Sequence, residues 1–300
     1  MKNIRLRKLK DLLATRWMLS LTVFAALLLV VIVVGLLNKA WPILTLQPLN
    51  RLLFSSDWSP MREEFGLSAF VLGTLWVTVV AMLIAVPLSI LTAVYLSEYA
   101  PNSIRGLVKP LLDLLAGIPS VVYGLFGLLV IVPVVSDIAA ALGVSSNGYN
   151  VLSGGIVLAI MVFPVVISIS EEVIRTVPHG MREASMALGA TKWQATKLII
   201  LRGASPGIFA AVVLGFSRAI GETMAVLMVV GNVARAPSSV FDPAYPLPAL
   251  IANNYGEMMS LPLYESALML AALVLLVLVL IFSVAAQVVL VRLERRYGLG

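Results

Sequence analysis

Six stretches of the sequence, 17–37, 67–96, 107–132, 151–170, 205–231 and 263–291, are apolar over the length of about 20 residues that a helix needs to cross a bilayer core. Inside lipid every backbone donor and acceptor must find a partner within the chain, which leaves helices or a closed barrel. Runs of this length predict an all-α membrane protein with six transmembrane helices and the lipid bilayer as its solvent. Composition agrees: 60% of residues are hydrophobic, 12% are charged and mean hydropathy is +1.02, against about 25% charged in soluble domains. A soluble enzyme, a nucleic-acid-binding domain and a disordered regulator are excluded on that ground. The net charge of +6 reads as basic loops beside a membrane and not as a nucleic-acid partner. Without Cys and with a single His, thiol and imidazole chemistry have almost no place.

The distribution of Lys and Arg orients the chain. The basic tail 1–16 carries six, the loop after the second span two (Arg105, Lys109), the loop 171–204 five, and the segment 292–300 three, against four on the opposite side (Lys39, Arg51, Arg62, Arg235). The positive-inside rule then puts both termini in the cytoplasm of a multi-pass plasma (inner) membrane protein. The stretch 17–37 exceeds a signal-peptide core of about 7–15 residues and no small-residue cleavage site follows, so it reads as an uncleaved anchor. An external segment, 38–66, offers Trp41 and Trp58 to the interface, and the remaining spans form a core at 67–291. Pro87 should bend the second span, and Ile118-Pro119-Ser120 should interrupt the third.

The loop 171–204 is the most informative segment. Pro178 and Gly180 break it, residues 182–188 have the pattern of a short helix, and Gly189 can end that helix with positive φ. Trp193 and Lys197 then resume a helix into the fifth span. By itself this is either a solvated connection or an element shaped to dock a partner. Glu183-Ala184-Ser185, followed at the expected spacings by Gly189, Ile199 and Leu201, resembles the "EAA" motif of ABC importer permeases. The sequence departs from that motif at Ser185, where it has a second Ala, and at Arg202, where it has Pro. The resemblance implies the type I permease fold. It also implies that this helix fits a groove on a separate ATPase, with Glu183, Ala184, Ser185 and Gly189 as the coupling residues. The chain has no Gly-Lys dipeptide, hence no phosphate-cradling loop of its own. No cofactor is expected on this chain; ATP would be used by the partner.

Arg218 and Glu222 lie midway along the fifth apolar stretch, four residues apart, and are expected on one helical face. Charges at that depth cost about 2.5–3.5 kcal/mol each on insertion scales and face a bundle interior or a pathway. Two readings stand: a structural ion pair between helices, or contact with a translocating solute. Arg matches a tetrahedral oxyanion, while a carboxylate beside it suits a protonated anion such as phosphate and not fully ionised sulfate.

The string Arg218-Ala219-Ile220-Gly221-Glu222-Thr223-Met224-Ala225 is similar to the phosphate-specific branch of these permeases, as is Gly117-Ile118-Pro119-Ser120-Val121-Val122-Tyr123-Gly124. Met224-Ala225 followed by Gly231-Asn232 looks more like the "C" permease of that branch than its "A" partner. The resemblance implies import of inorganic phosphate, with a second homologous permease, an ABC ATPase dimer and an external phosphate-binding protein as partners. Arg218, Glu222, Ser120 and Tyr123 are the expected pathway residues. A permease for molybdate, tungstate or sulfate and a proton-coupled carrier are the alternatives. Asp113 reads as a structural partner near a helix end, Glu171-Glu172 as partners for nearby Arg, and His179 as a loop residue. No metal cluster, catalytic triad or acid–base carboxylate pair is visible.

Overall fold

In a computed structural model, which describes residues 2–256, 261 and 263–297, the chain is almost entirely helical. Helix α1 (Lys2–Leu46) is followed by a short α2 (Leu49–Phe54) and a two-stranded hairpin, β1 (Trp58–Ser59) with β2 (Glu64–Phe65), registered Trp58 opposite Phe65. Helix α3 (Ser68–Val94) extends through a π-helical turn, Tyr95–Tyr99, to α4 (Asn102–Gly117). One rod follows, made of α5 (Ser120–Phe126), a π turn (Gly127–Ile131) and α6 (Val132–Ala141). Then come α7 (Val151–Thr176), α8 (His179–Ala187) and α9 (Lys192–Ala195), which passes through a third π turn (Thr196–Ile200) into α10 (Leu201–Ile220). Short helices α11 (Met224–Leu227) and α12 (Leu247–Asn254) precede α13 (Tyr264–Tyr297).

Among the described residues, six stretches are long and apolar enough to cross a membrane: Lys10–Leu46, Ser68–Tyr99, Ser120–Ala141, Val151–Thr176, Lys192–Ile220 and Tyr264–Leu293. Their burial separates axis from periphery. The apolar window of α7 is 61% buried and that of α1 is 0% buried. Helix α7 is the axis of the bundle, packed against α3, α10 and α4, whereas α1 leans on α13 from outside.

Glycines facing valines bring the axial helices close. A Cβ on Gly155 of α7 would sit 2.4 Å from Val80 Cγ1 of α3, and one on Gly215 of α10 would sit 2.6 Å from Val166 Cγ2 of α7. Between lipid-embedded helices such close approach supplies the packing energy that the hydrophobic effect does not. Gly155→Leu should therefore force α3 and α7 apart and cost about 1–3 kcal/mol or more by overpacking, read as a lower unfolding temperature of the detergent-solubilised chain.

Two spans differ from their apolar stretches. The run 107–132 is not one crossing. Helix α4 ends at Gly117, Ile118 is extended (ψ 131°) and Pro119 precedes α5. The interruption lies where Pro119 requires it, because Pro disfavours helix in the preceding residue. The crossing itself is Ser120–Ala141. Arg105, Lys109 and Asp113, at steps of four, give α4 a charged side that a hydropathy average does not see. The run 205–231 is also not one helix: α10 stops at Ile220, and the crossing begins earlier, at Lys192.

Trp58, half-buried, is the centre of an aromatic cluster, with ring centroids 5.4 Å from Phe65, 4.9 Å from Phe70 and 6.1 Å from Tyr264. Trp41 is exposed. At the same end of the bundle, the loop before α12 closes over the start of α7. Val151 and Leu152 donate their N–H groups to Asp242 O (3.0 Å) and Val240 O (2.8 Å), and the Asn150 side chain accepts from Ser153 N (2.9 Å). Asp242 in turn accepts from the Ser238 hydroxyl and amide and the Ser239 amide. Those bonds hold its carboxyl below the usual carboxylate range.

Candidate coupling segment and solute pathway

Helix α7 ends where Val177 turns extended (ψ 125°) ahead of Pro178, and α8 starts at His179 and includes Gly180. Gly189 takes φ +87°. The Gly189 and Ala190 N–H groups donate to Met186 O (3.0 Å) and Ser185 O (3.2 Å), closing the last carbonyls of α8. Thr191 and Gln194 form a reciprocal capping box that opens α9. The chain thus makes a helix, a glycine reversal and a capped restart within a few residues. Helix α10 runs through Arg202 without a boundary.

Of the four motif residues, Glu183, Ala184 and Gly189 are exposed, and Ser185 is buried towards the bundle. Met181, Leu188 and Trp193 are exposed as well, Leu188 at 90%. The outward side of this segment is an apolar surface with a carboxylate set into it.

The inward side is fastened by charge. Arg182 on α8 meets Glu98, in the π turn that ends α3, through Nε to both carboxylate oxygens (3.2 Å each) and Nη2 to Oε1 (2.8 Å). The same guanidinium donates to Val177 O and Ile174 O, tying α8 to the end of α7. Both side chains are nearly enclosed, 13% and 7% exposed. Beside them Glu171 of α7 is shared by Arg105 (3.6 Å) and Arg175 (3.4 Å), and Arg105 also donates to Leu96 O and Ser97 O. The pairing expected for the Glu171-Glu172 dipeptide falls to Glu171; Glu172 is exposed. Glu98 carried no signal in the sequence beyond being a lone acid at the end of an apolar run.

At the pathway residues the helical-face expectation for Arg218 and Glu222 fails. Arg218 sits in the last turn of α10 and Glu222 lies beyond its end, so a spacing of four no longer means a shared face. Glu222 Oε1 accepts the Ala225 N–H (3.3 Å), opening α11, and Glu222 lines a narrow crevice together with Thr74, Thr78 and Pro246. Among the described residues no ion pair links Arg218 to Glu222. The physical reason is the Gly221 break, after which the carboxylate satisfies a new helix start instead of an arginine.

The break also brings the two sequence strings together. Helix α5 packs on α11 so closely that a Cβ on Gly124 would lie 2.6 Å from Met228 Sδ and 3.1 Å from Ala225 Cα. Arg218 is exposed and lies within electrostatic reach of Tyr123. Tyr123 itself is buried, and its hydroxyl donates to Leu115 O (2.7 Å), bridging the Ile118–Pro119 break. Ser120 is the half-buried first residue of α5.

Comparison with known proteins places this architecture. The family described as "Binding-protein-dependent transport system inner membrane component" matches residues 85–297. The "Phosphate transport system permease protein PstC" of Xylella fastidiosa (strain 9a5c) is 38% identical over 298 residues, covering 93% of this chain and 91% of that protein. The "Probable ABC transporter permease protein YqgH" of Bacillus subtilis (strain 168) is 40% identical over 232 residues, covering 77% and 74%. In fold, the chain is similar to a solved inward-facing structure of the MetNI methionine ABC transporter, at TM-score 0.60 and 20% identity, covering 79% of this chain and 99% of that one. With six crossings, a glycine-terminated helix between the fourth and fifth, and a family match over most of its length, the chain belongs to the binding-protein-dependent inner membrane components, the permease subunits of ABC importers.

Proposed function

We propose that this chain is a permease subunit of an ATP-driven importer that moves inorganic phosphate across the plasma (inner) membrane, with both termini in the cytoplasm. The observation that supports it most is the packing of string 117–124 against string 218–225 with Arg218 exposed beside the junction. Relatives across bacteria and one archaeon carry the words phosphate transport in their names. An arginine with no carboxylate partner among the described residues offers several fixed donors to an oxyanion and stays charged when partly desolvated. The partners in this reading are a second homologous permease, an ATPase dimer and an external phosphate-binding protein.

In mechanism, the binding protein releases phosphate at the outer mouth, and ATP binding closes the ATPase dimer. The ATPases grip the exposed side of α8, where Glu183, Ala184 and Gly189 lie. Movement of α8 passes to α3 through Arg182–Glu98 and to α7 through the carbonyls that Arg182 holds. Phosphate passes Arg218 without covalent change. Tyr123 supports the broken helix behind Ser120 in this scheme, its hydroxyl being committed to Leu115 O.

Glu222 acts as the selecting group. Its free oxygen can accept a hydrogen bond from a protonated phosphate, which sulfate cannot give. Glu222→Gln keeps an oxygen for the Ala225 amide but removes the charge. It should lower the preference for phosphate over sulfate by about tenfold or more, measured as competition in uptake; an unchanged preference would remove Glu222 from selection.

The decisive experiment is labelled phosphate uptake at low concentration in cells with and without the chain, after the proton gradient is collapsed and ATP maintained. Chain-dependent uptake that survives supports this reading. Uptake lost with the gradient would overturn ATP drive, and uptake of another oxyanion instead would reassign the solute.

A further inference from the structure

The coupling segment does not lie flat on the bundle. Between α8–α9 and the ends of α3, α4 and α7 is a cavity of about 370 Å³, within the size range of small-ligand sites. Arg105, Arg175, Arg182, Lys192 and His179 line it, and the carboxylate on its wall is Glu98. Glu98 is spent on Arg182, in the bidentate pair described above. One further carboxylate, Glu171, is divided between Arg105 and Arg175. Lys192 has an aromatic neighbour, the Tyr99 ring 4.6 Å from Nζ, and no carboxylate among the described residues. Among the described residues two positive charges are therefore left without a compensating carboxylate around one cavity, one from the arginine pair and one from Lys192.

Arg175 and Lys192 are exposed, so solvent screens them, but like charges gathered around one cleft still repel at a modest cost and raise its positive potential. A divalent anion with several acceptor oxygens removes that cost. Planar arginine and point-like lysine are the pair of side chains that together recognise phosphoryl oxygens.

We infer that this cavity is a binding site for a divalent phosphoryl anion, held chiefly by Arg175 from α7 and Lys192 from α9. Its ligand is either free inorganic phosphate or the phosphomonoester headgroup of phosphatidic acid; both can present the same dianionic oxygens. An occupant there bridges the bundle to the coupling segment and favours the arrangement in which α8 is docked. The inference does not depend on which solute is transported, and it concerns a different end of the molecule from Arg218.

Trp193, exposed next to Lys192, provides the readout. The full chain is placed in nanodiscs of zwitterionic lipid and titrated with inorganic phosphate while tryptophan fluorescence is followed. Chloride at matched ionic strength is the control, and a second set of discs contains phosphatidic acid. A saturable change is expected that is absent in Trp193→Phe, unaltered in Arg218→Ala, and weakened about tenfold or more in Arg175→Gln/Lys192→Gln. A change with free phosphate identifies the soluble source. One seen only in phosphatidic-acid discs, and lost in the double variant, identifies the headgroup; either supports the site. No saturable change from either source, an equal change with chloride, or an unweakened response in the double variant would overturn it.

Discussion

Glu98→Ala should uncouple the importer while leaving the chain in the membrane. Removing one partner of an enclosed ion pair leaves the other charge buried and unpaired, at a cost of about 3–5 kcal/mol. That cost falls at the joint between α8 and α3, because Arg182 is 13% exposed and its remaining partners, Val177 O and Ile174 O, do not neutralise it. The expected result is loss of uptake by about tenfold or more, with unchanged amounts of chain in isolated membranes and faster proteolysis between α7 and α9. Arg182→Ala should behave alike. The exchanged pair Glu98→Arg/Arg182→Glu should recover part of the loss, since the Coulomb attraction returns although the carbonyl contacts do not. Normal uptake in Glu98→Ala, measured at equal membrane levels, would show that the pair does not transmit motion.

Arg218→Ala is expected to give the second large effect. Hydrogen bonds to charged groups contribute about 1.5–3 kcal/mol each, so losing one or two at a solute contact should slow uptake by about a hundredfold. Among the described residues Arg218 holds no carboxylate, and it shares its surroundings with a buried Tyr123, so the substitution should leave the bundle's thermal stability nearly unchanged. Arg218→Lys keeps the charge but loses the planar donor set and should fall between the two. A thermal shift comparable to that of Gly155→Leu, with no specific transport defect, would make Arg218 a structural residue.

What hydropathy can read in this chain is that helices cross, and roughly where. It cannot read where a helix stops. The run 205–231 is apolar apart from Arg218 and Glu222, yet α10 ends at Ile220, and after the Gly221 break the carboxylate of Glu222 caps the start of α11. A four-residue spacing implies a shared face only while the helix lasts, so the expected Arg218–Glu222 pair does not exist. In 107–132 the interruption was legible from Pro119, but α4 lent its one apolar side to the average and drew the span too early. The short helix and glycine reversal between α7 and α10 were legible, because Pro178 and Gly189 are local signals, although the helix runs His179–Ala187 and not 182–188. Their fastening was not. Glu98 and Arg182 are 84 positions apart, and no periodicity joins them; only the fold does.

Helix α7 spans 26 residues, about 39 Å at 1.5 Å per residue, and it is pinned at both ends. At one end Arg182 grips its last carbonyls and Glu171 is held by two arginines; at the other, Val151 and Leu152 are bonded to the loop at Val240 and Asp242. Along its length, glycine notches at Gly155 and opposite Val166 keep it from sliding past its neighbours. In mechanical language α7 has the build of a connecting rod: one continuous helix, fixed at each end and braced along its length, joins the attachment of α8 to the opposite mouth of the molecule.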